Sequence, residues 1–502
     1  MRQPLTLGAA ALLASCAQTS SLPPSAATLA GADRCVAVSA AEFGASEASA
    51  TWVPASESLP AFCEVSAKLN PAPQSDIGVV YRLPKSWNGK LLGIGGGGWA
   101  GNVSLMAASD GLRKGYATLQ TDGGHPGTNP WENSWAQVPA KATDFSHRAI
   151  HLMTESGKRL ADRYYSRAHS RAYFNGCSTG GRMALMEAQR YPDDYDGIVA
   201  GAPVYTLQVQ TSGVYRNQVF RGANGEAGFT TADLQMVQDR VLAQCDAKDG
   251  LEDGVIADPR ACRFDPAELQ CRGAKIASCL APAQVTALQS AYDGIRAADG
   301  SWAMFPMSRG GEAGWSAFVG TDGKGNDPSG GGGLAGLRPV IFGDRPVDFA
   351  AFTDADYRVV RESPFAAEYE AKNPELSGFF ERGGKLLLWH GESDPGPSPV
   401  GSNDYARAVL QANAPRETDG QFRYFLLPGV EHCRGGPGAD VVDYIDAIDR
   451  WVETSQAPGA LTGTKADGSI TRKHCAWPNV ARYTGSGDTN DPANYACVAR
   501  TS

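Results

Sequence analysis

Short apolar runs separated by longer amphipathic stretches recur along much of the chain. The runs typical of buried strands lie at residues 90–94, 116–120, 172–175, 198–202, 385–389 and 422–427. Residues 145–165 and 180–190 instead carry apolar side chains at helical spacing. Buried strands that alternate with helices predict an α/β fold, with a mostly parallel sheet covered on both faces.

One long stretch, residues 205–383, breaks this alternation. It is rich in glycine and contains four cysteines, and it lies between two predicted sheet strands. We therefore interpret it as a single insertion, a lid, in a catalytic core formed by residues 35–204 and 384–502. The chain shows no internal repeat at a fixed period.

The N-terminal residues predict export. Residues 1–16 contain a short apolar run that is too short to span a bilayer, and the run ends in Leu-Ala-Ser-Cys at Cys16. This tetrapeptide resembles a bacterial lipobox, in which Cys16 would carry the lipid. The alternative is a secretory signal that is cut later, near Ala27. Residues 17–34 are rich in Ser, Ala, Pro and Gly and predict a linker. The predicted location is the periplasm, the outer membrane or the medium.

Composition and charge narrow the function further. The chain has 502 residues, of which 42% are hydrophobic and 20% charged, and its net charge is −9 with no basic run. These values exclude a disordered chain, a multi-span membrane protein and a nucleic-acid binder. Membrane contact is expected only through the N-terminal lipid. Without Cys16, ten of the eleven cysteines remain, an even number that fits an oxidising compartment.

A candidate nucleophile lies in the sequence Gly-Cys-Ser-Thr-Gly at residues 176–180. The G-x-S-x-G pattern alone is weak, because a glycine-rich chain produces it by chance, and a plain strand–helix turn is the alternative. Here it stands between a predicted strand and a predicted helix, which is the context of a nucleophile elbow. The sequence therefore predicts Ser178 as the nucleophile.

A serine nucleophile needs a base and an orienting acid further along the chain. Of the three downstream histidines, His432 follows the predicted strand 422–427, where the base belongs. Asp394 follows the strand 385–389, where the acid belongs, with Glu392 as a rival. We expect His390 to be structural and His474 either to pack or to lie in solvent. Ser178, His432 and Asp394 should form a triad.

The oxyanion hole should combine the N–H after the nucleophile, that of Thr179, with an N–H from an earlier loop. Four consecutive glycines at residues 95–98 follow an early strand. We expect Gly97, rather than Gly98, to be the second donor.

Two cysteines flank the predicted catalytic residues. Cys177 precedes Ser178, and Cys433 follows His432. If the serine and the histidine meet, their neighbours must also be close, which predicts a Cys177–Cys433 disulfide. Two unrelated buried thiols are the alternative.

A carboxylate-rich loop occupies residues 245–255 in the predicted lid. It holds three aspartates within eight residues, with glycines for tight turns. Such oxygen donors suit Ca²⁺, although the pattern is not an EF-hand. A solvated acidic turn remains the alternative on these residues alone.

The run GCSTGG at residues 176–181, together with Asp394 and His432-Cys433, resembles the tannase/feruloyl esterase family. Further runs of the same resemblance are GGGGWAGN, TDGGH, IVAGAP, WHGESDP and GVEHC, which spread over nearly the whole mature chain. The resemblance implies an α/β-hydrolase fold with a large lid, and a Ser-Asp-His triad whose serine and histidine are joined through neighbouring cysteines.

The resemblance also implies details that the residues alone leave open. It implies four more disulfides: Cys35–Cys63, Cys245–Cys262, Cys271–Cys279 and Cys475–Cys497. It favours a structural Ca²⁺ in the lid. The implied ligands are the side chains of Asp246, Asp249 and Asp253 and the carbonyls of Leu251 and Val255.

Together these features predict an exported serine esterase for small esters of aromatic acids, of the feruloyl, galloyl or terephthalate-monoester type. Lid residues should select the substrate, and Trp315 and Phe318 are the candidates for an aromatic wall, with burial in the lid core as the alternative. The rival hypotheses are a peptidase of the same fold and a non-catalytic surface binding protein on a hydrolase scaffold. No sequence feature defines an oligomeric state.

Overall fold

The computed structural model describes residue 1 and residues 31–221, 228–322 and 332–500. Cys16 and most of the predicted signal and linker segments lie outside the described residues. Within the described ranges, no helix is both long enough and apolar enough to cross a membrane.

The described residues form sixteen strands and fifteen α-helices. The strands are β1 Glu47–Val53, β2 Phe62–Leu69, β3 Ile77–Pro84, β4 Lys90–Ile94, β5 Ala117–Thr121, β6 Arg171–Cys177, β7 Gly197–Gly201, β8 Ile295–Arg296, β9 Trp302–Met304, β10 Lys385–Gly391, β11 Phe422–Leu427, β12 Val441–Val442, β13 Ala460–Thr464, β14 Thr471–Cys475, β15 Asn479–Tyr483 and β16 Tyr495–Ala499. The helices are α1 Gly31–Val36, α2 Leu105–Arg113, α3 Pro139–Thr143, α4 Ala149–Tyr165, α5 Thr179–Arg190, α6 Gln208–Val219, α7 Thr231–Cys245, α8 Pro282–Asp293, α9 Arg338–Phe342, α10 Asp354–Glu362, α11 Pro364–Tyr369, α12 Ser377–Glu381, α13 Pro399–Ala412, α14 Pro415–Gln421 and α15 Tyr444–Thr454.

Nine strands build one large sheet in the order β1-β2-β3-β5-β4-β6-β7-β10-β11. The strands from β5 to β11 in this order pair in parallel, whereas β1, β2 and β3 add an antiparallel edge that ends on β5. Apolar clusters cover both faces of this sheet. This is the α/β-hydrolase arrangement, and it confirms the predicted fold class.

The six predicted strand runs all lie in this sheet, as β4, β5, β6, β7, β10 and β11. The predicted helix at residues 180–190 is α5. The predicted helix at residues 145–165 is α4, but it begins at Ala149, because a single π-helical turn, Asp144–Arg148, precedes it. Such a turn shifts the hydrogen-bond register, and the apolar period alone does not reveal it.

The segment between β7 and β10 leaves the sheet, since those two strands are direct neighbours. One of its apolar clusters contains only residues between 219 and 319. A second cluster joins lid residues to Trp99, Trp135 and Phe145 of the core. The end of the segment returns to the sheet, where Phe379 and Phe380 pack in the core cluster.

Candidate active site

Ser178 stands at the sharp turn between β6 and α5. Its backbone has φ 64° and ψ −123°, a conformation that L-residues avoid and that marks a strained turn. The turn is held because the Ser178 amide donates to the Gly201 carbonyl at 2.9 Å, while the Ser178 carbonyl accepts from the Val204 amide at 3.1 Å. The strained backbone is therefore held by the last residue of β7 and by the loop that follows it.

The structure brings the three predicted triad residues together. His432 Nε2 lies 2.9 Å from Ser178 Oγ, and His432 Nδ1 lies 2.7 Å from Asp394 Oδ2. These contacts join side chains from three separate loops, at the ends of β6, β10 and β11. A serine hydroxyl, an imidazole and a carboxylate in this order form a proton relay suited to nucleophilic catalysis.

Electrostatics support that relay. Burial opposes ionisation of Asp394, but the neighbouring His432 and His390 outweigh it and lower the pKa of Asp394 to about 2. Burial likewise disfavours protonated His432, yet the charge of Asp394 and its hydrogen bond raise the pKa of His432 above the usual 6.5. These shifts favour an ionised Asp394 beside a protonated His432, the charge pair that a proton transfer from Ser178 to His432 would create.

The Asp394 carboxylate has further partners. Its Oδ1 accepts from the Gly396 amide at 2.8 Å, and His390 Nε2 lies 3.1 Å from its Oδ2. Glu392, the rival acid, points elsewhere: its carboxylate lies 2.8 Å from Arg500 and 3.5 Å from Arg260. Asp394 is consequently the carboxylate that orients His432.

The four-glycine loop packs directly on the elbow. A Cβ on Gly95 would lie 2.4 Å from the Gly180 Cα, so only glycine allows this approach. The Thr179 hydroxyl donates to the Gly98 carbonyl at 2.8 Å. Gly97 is the exposed member of the loop, and a Cβ there would meet nothing within 4 Å. The loop is thus held against the elbow through Gly95 and Gly98, and it leaves open space at Gly97.

A disulfide joins the elbow to the histidine loop. Cys177 and Cys433 are bonded, with their Cα atoms 6.0 Å apart across 256 positions of sequence. The four other bonds are those implied by the family resemblance: Cys35–Cys63, Cys245–Cys262, Cys271–Cys279 and Cys475–Cys497. Cys433 itself has a positive φ of 64°, so the loop is turned sharply beside the base.

Of the two aromatic candidates, only Phe318 reaches the triad. Its ring meets the His432 ring edge-on, with the centroids 5.9 Å apart. Trp315 is 1% exposed and packs edge-on against Phe220 and Tyr292 in the lid cluster. Trp315 therefore presents no surface to a substrate, and its assignment to a substrate wall is corrected to lid core.

Sequence patterns did not reveal the role of Arg216 on α6. This guanidinium is buried and its Nη1 donates to the carbonyls of Pro395 and Gly396 at 2.7 and 2.6 Å, directly after the acid. It also lies 5.8 Å from the centroid of Phe318. No local motif marks such an arginine, because its partners are backbone carbonyls nearly 180 positions away.

The carboxylate loop of the lid curls around its own backbone. Asp246 accepts from the Gly254 amide at 2.8 Å, and Asp249 accepts from the Leu251 and Ala257 amides at 3.0 and 3.1 Å. Asp253 pairs with Arg472 at 2.6 Å. Within the described ranges, no group of three or more His, Cys, Asp or Glu side chains is arranged to hold a metal ion.

Known proteins and solved structures resemble this chain over most of its length. The family model described as "Tannase and feruloyl esterase" matches residues 63–321 and 336–498. A mono(2-hydroxyethyl) terephthalate hydrolase of Piscinibacter sakaiensis is 34% identical, with 88% of this chain and 85% of the relative covered. A feruloyl esterase B of Aspergillus niger is 31% identical, with coverages of 87% and 86%. The crystal structure of feruloyl esterase B from Aspergillus oryzae superposes with a TM-score of 0.83 at 28% identity, covering 93% of this chain and all of that one.

The raised pKa of His432 predicts the pH dependence of Ser178. Only neutral His432 accepts the serine proton, so the reactivity of Ser178 should rise with pH through a midpoint above 6.5. The Asp394→Asn variant should move that midpoint downward, because it removes the charge that stabilises the imidazolium, and should slow the reaction by about 10³–10⁴-fold. The measurement is the rate of fluorophosphonate labelling of Ser178 between pH 4 and 9. A midpoint below 6.5 in the wild type would contradict the prediction.

The disulfide between the elbow and the histidine loop should matter for both stability and reactivity. Closing a loop of 256 residues stabilises by roughly 5–6 kcal/mol in the chain-entropy model, against roughly 2–3 kcal/mol for the eight-residue Cys271–Cys279 loop. The C177A/C433A variant should lower the urea midpoint more than C271A/C279A does. It alone should slow Ser178 labelling, by about 10²-fold, because the serine and its base lose their alignment. Equal labelling rates in the two variants would refute this role.

Proposed function

The chain belongs to the tannase and feruloyl esterase family and is a carboxylic ester hydrolase; from this premise we propose that it is a serine esterase acting on esters of aromatic carboxylic acids. The observation that carries the proposal is the continuous hydrogen-bonded chain from Ser178 through His432 to Asp394. The chain stands at a strained elbow beside a glycine loop, in the arrangement that acyl transfer requires.

In the proposed reaction, Ser178 Oγ attacks the ester carbonyl while His432 Nε2 takes its proton. The N–H groups of Thr179 and Gly97 stabilise the oxyanion, helped by the positive end of α5. His432 then gives the proton to the leaving alcohol, and an acyl-enzyme remains on Ser178. Water activated by the same histidine releases the acid and restores the serine.

The aromatic character of the acid is supported by two observations. The related proteins of bacterial and fungal origin are named for a terephthalate monoester and for feruloyl esters. In this chain the half-buried Phe318 ring stands edge-on against His432, where it can contact an acyl group attached to Ser178. Phe318 lies within residues 205–383, so we propose that this lid selects the substrate.

The rival hypotheses have less support. A binding protein on a hydrolase scaffold has no need of an aligned serine, imidazole and carboxylate. A peptidase would need a site for a charged amine or a similar group, for which the sequence offers no candidate. We also propose export, because five disulfides suit an oxidising compartment.

We propose further that a structural Ca²⁺ binds the lid loop. Asp246, Asp249 and Asp253 would bind through side chains, and Leu251 and Val255 through carbonyls, a set of hard oxygen donors. The fit is supported by Asp246 Oδ1, a buried oxygen without a hydrogen-bond partner in the described structure. Binding would require Asp253 to exchange part of its contact with Arg472 for the ion. The ion would connect α7 to the loop that follows it.

The esterase proposal predicts that removal of the nucleophile abolishes activity without loss of stability. Ser178→Ala should abolish both fluorophosphonate labelling and hydrolysis while leaving the melting temperature within a few degrees of the wild type.

The substrate class is tested by comparing kcat/KM on methyl ferulate, methyl gallate and mono(2-hydroxyethyl) terephthalate, with a matched aromatic amide as the control. We expect turnover of at least one ester and none of the amide. If Ser178 stays unlabelled in folded protein, the serine mechanism is contradicted. If all three esters are hydrolysed at negligible rates, the assignment to aromatic esters is contradicted.

The calcium proposal predicts a stability effect of chelation. Excess EDTA should lower the melting temperature, and added Ca²⁺ should restore it, because ligand that binds only the native state stabilises it. Asp246→Asn should abolish this response, whereas Asp467→Asn, an exposed aspartate outside the loop, should keep it. If excess EDTA does not change the melting temperature of the wild type, the calcium site is contradicted.

A further inference from the structure

A second buried histidine lies on the catalytic carboxylate. Asp394 Oδ2 is 2.7 Å from His432 Nδ1 and 3.1 Å from His390 Nε2, so one oxygen serves both imidazoles. His390 and Asp394 are four positions apart across the end of β10, and they are 0% and 3% exposed. The carboxylate is thus held from the solvent-accessible side by His432 and from the protein interior by His390.

The surroundings of His390 determine where its proton lies. Its Nε2 faces only acceptors, the Asp394 carboxylate and the Pro397 carbonyl at 3.0 Å, so Nε2 must carry hydrogen. Its Nδ1 lies 2.7 Å from the hydroxyl of Ser402, which can donate. Ser402 lies on α13 and is 1% exposed. In the neutral ring, Ser402 donates to Nδ1, and Nε2–H donates to the acid.

Ser402, His390 and Asp394 therefore form a second serine-histidine-carboxylate chain that shares the acid with the first. This second chain is not a catalytic site. All three of its members are buried, so no substrate can reach Ser402. Its effect must be on Asp394 and, through Asp394, on His432.

We propose that His390, oriented by Ser402, is a positioning residue that fixes the Asp394 carboxylate toward His432 and moderates its pull on the His432 proton. The physical reason is that a donor on Oδ2 shares the negative charge and restricts rotation of the carboxylate. The inference rests on the proposed function, because it assigns a role within that triad.

Removal of His390 should change two quantities in ways that a role in stability alone would not. First, His390→Leu leaves His432 as the only imidazole on Asp394 Oδ2, which should raise the titration midpoint of His432 by about 0.5–1 pH unit. Second, the freed carboxylate should lower kcat by about 10–100-fold with little change in KM, since alignment and not substrate contact is lost. The glutamine of His390→Gln can still donate from its amide, so this variant should keep both the midpoint and kcat close to the wild-type values. Ser402→Ala should give a smaller change in the same direction.

The other charged groups facing His432 are kept constant in this comparison. Arg216 disfavours protonation of His432, and Glu431 is the neighbour of His432 along the chain. Neither is altered by the three substitutions. A difference in His432 titration between wild type and variant therefore reports on Asp394.

The test is ¹⁵N-histidine NMR titration of His432 in the full chain, with melting temperatures and fluorophosphonate labelling rates of Ser178 measured on the same samples. The seven histidines are few enough to assign with a His432→Gln variant. An upward shift in H390L that H390Q reverses supports the proposal. An unchanged midpoint and an unchanged labelling rate in folded H390L overturn it.

The test remains decisive if H390L does not fold or if the proposed function is wrong. If H390L does not fold, Ser402→Ala carries the same test, and an unchanged His432 midpoint there overturns the proposal. If wild-type Ser178 does not react with fluorophosphonate, the proposed function fails. The NMR titration still decides whether His390 acts on His432 through Asp394.

Discussion

The buried charge of Asp394 is the constraint around which the site is organised. A carboxylate that is 3% exposed is costly unless donors surround it. Here the donors are His432 and His390 on one oxygen and the Gly396 amide on the other. These donors lower the pKa of Asp394 below that of a free carboxyl despite burial. Because one of them is the base itself, the stabilisation of the acid and the alignment of the base are a single interaction.

Covalent and electrostatic constraints reinforce each other at this point. The disulfide Cys177–Cys433 fixes the distance between the elbow and the histidine loop, whereas Asp394 fixes the rotation of His432 in that loop. Neither would suffice alone. A tethered imidazole can still turn away from Ser178, and an oriented imidazole on an untethered loop can still move away. The sharp turns at Ser178 and Cys433, both with φ near 64°, are held between these two constraints.

The parallel part of the sheet and the triad could be predicted from sequence because their signals are local. Apolar runs mark the strands. Ser178 directly follows β6, and Asp394 and His432 lie in the loops that follow β10 and β11. The adjacency of the cysteines to two triad members predicted a long-range contact from two short motifs. The partners of His390 could not be predicted in this way, because Ser402 comes from a helix that packs beside β10. Nor could Trp315 and Phe318 be distinguished, since only the lid packing turns one ring into the cluster and the other toward His432.

The attachment of the lid shows why substrate choice and triad alignment should be linked. At the start of the lid, Arg216 donates to the backbone that follows Asp394, and its guanidinium also lies over Phe318. At its end, Arg182 of the elbow helix donates to the carbonyl of Tyr369 at 3.2 Å. Both arginines are buried, and a buried guanidinium keeps its position only while its carbonyl partners keep theirs. A displacement of the lid would therefore disturb the acid loop and the elbow helix together. The proposed substrate contact at Phe318 would thus depend on the same elements that align Asp394, His432 and Ser178.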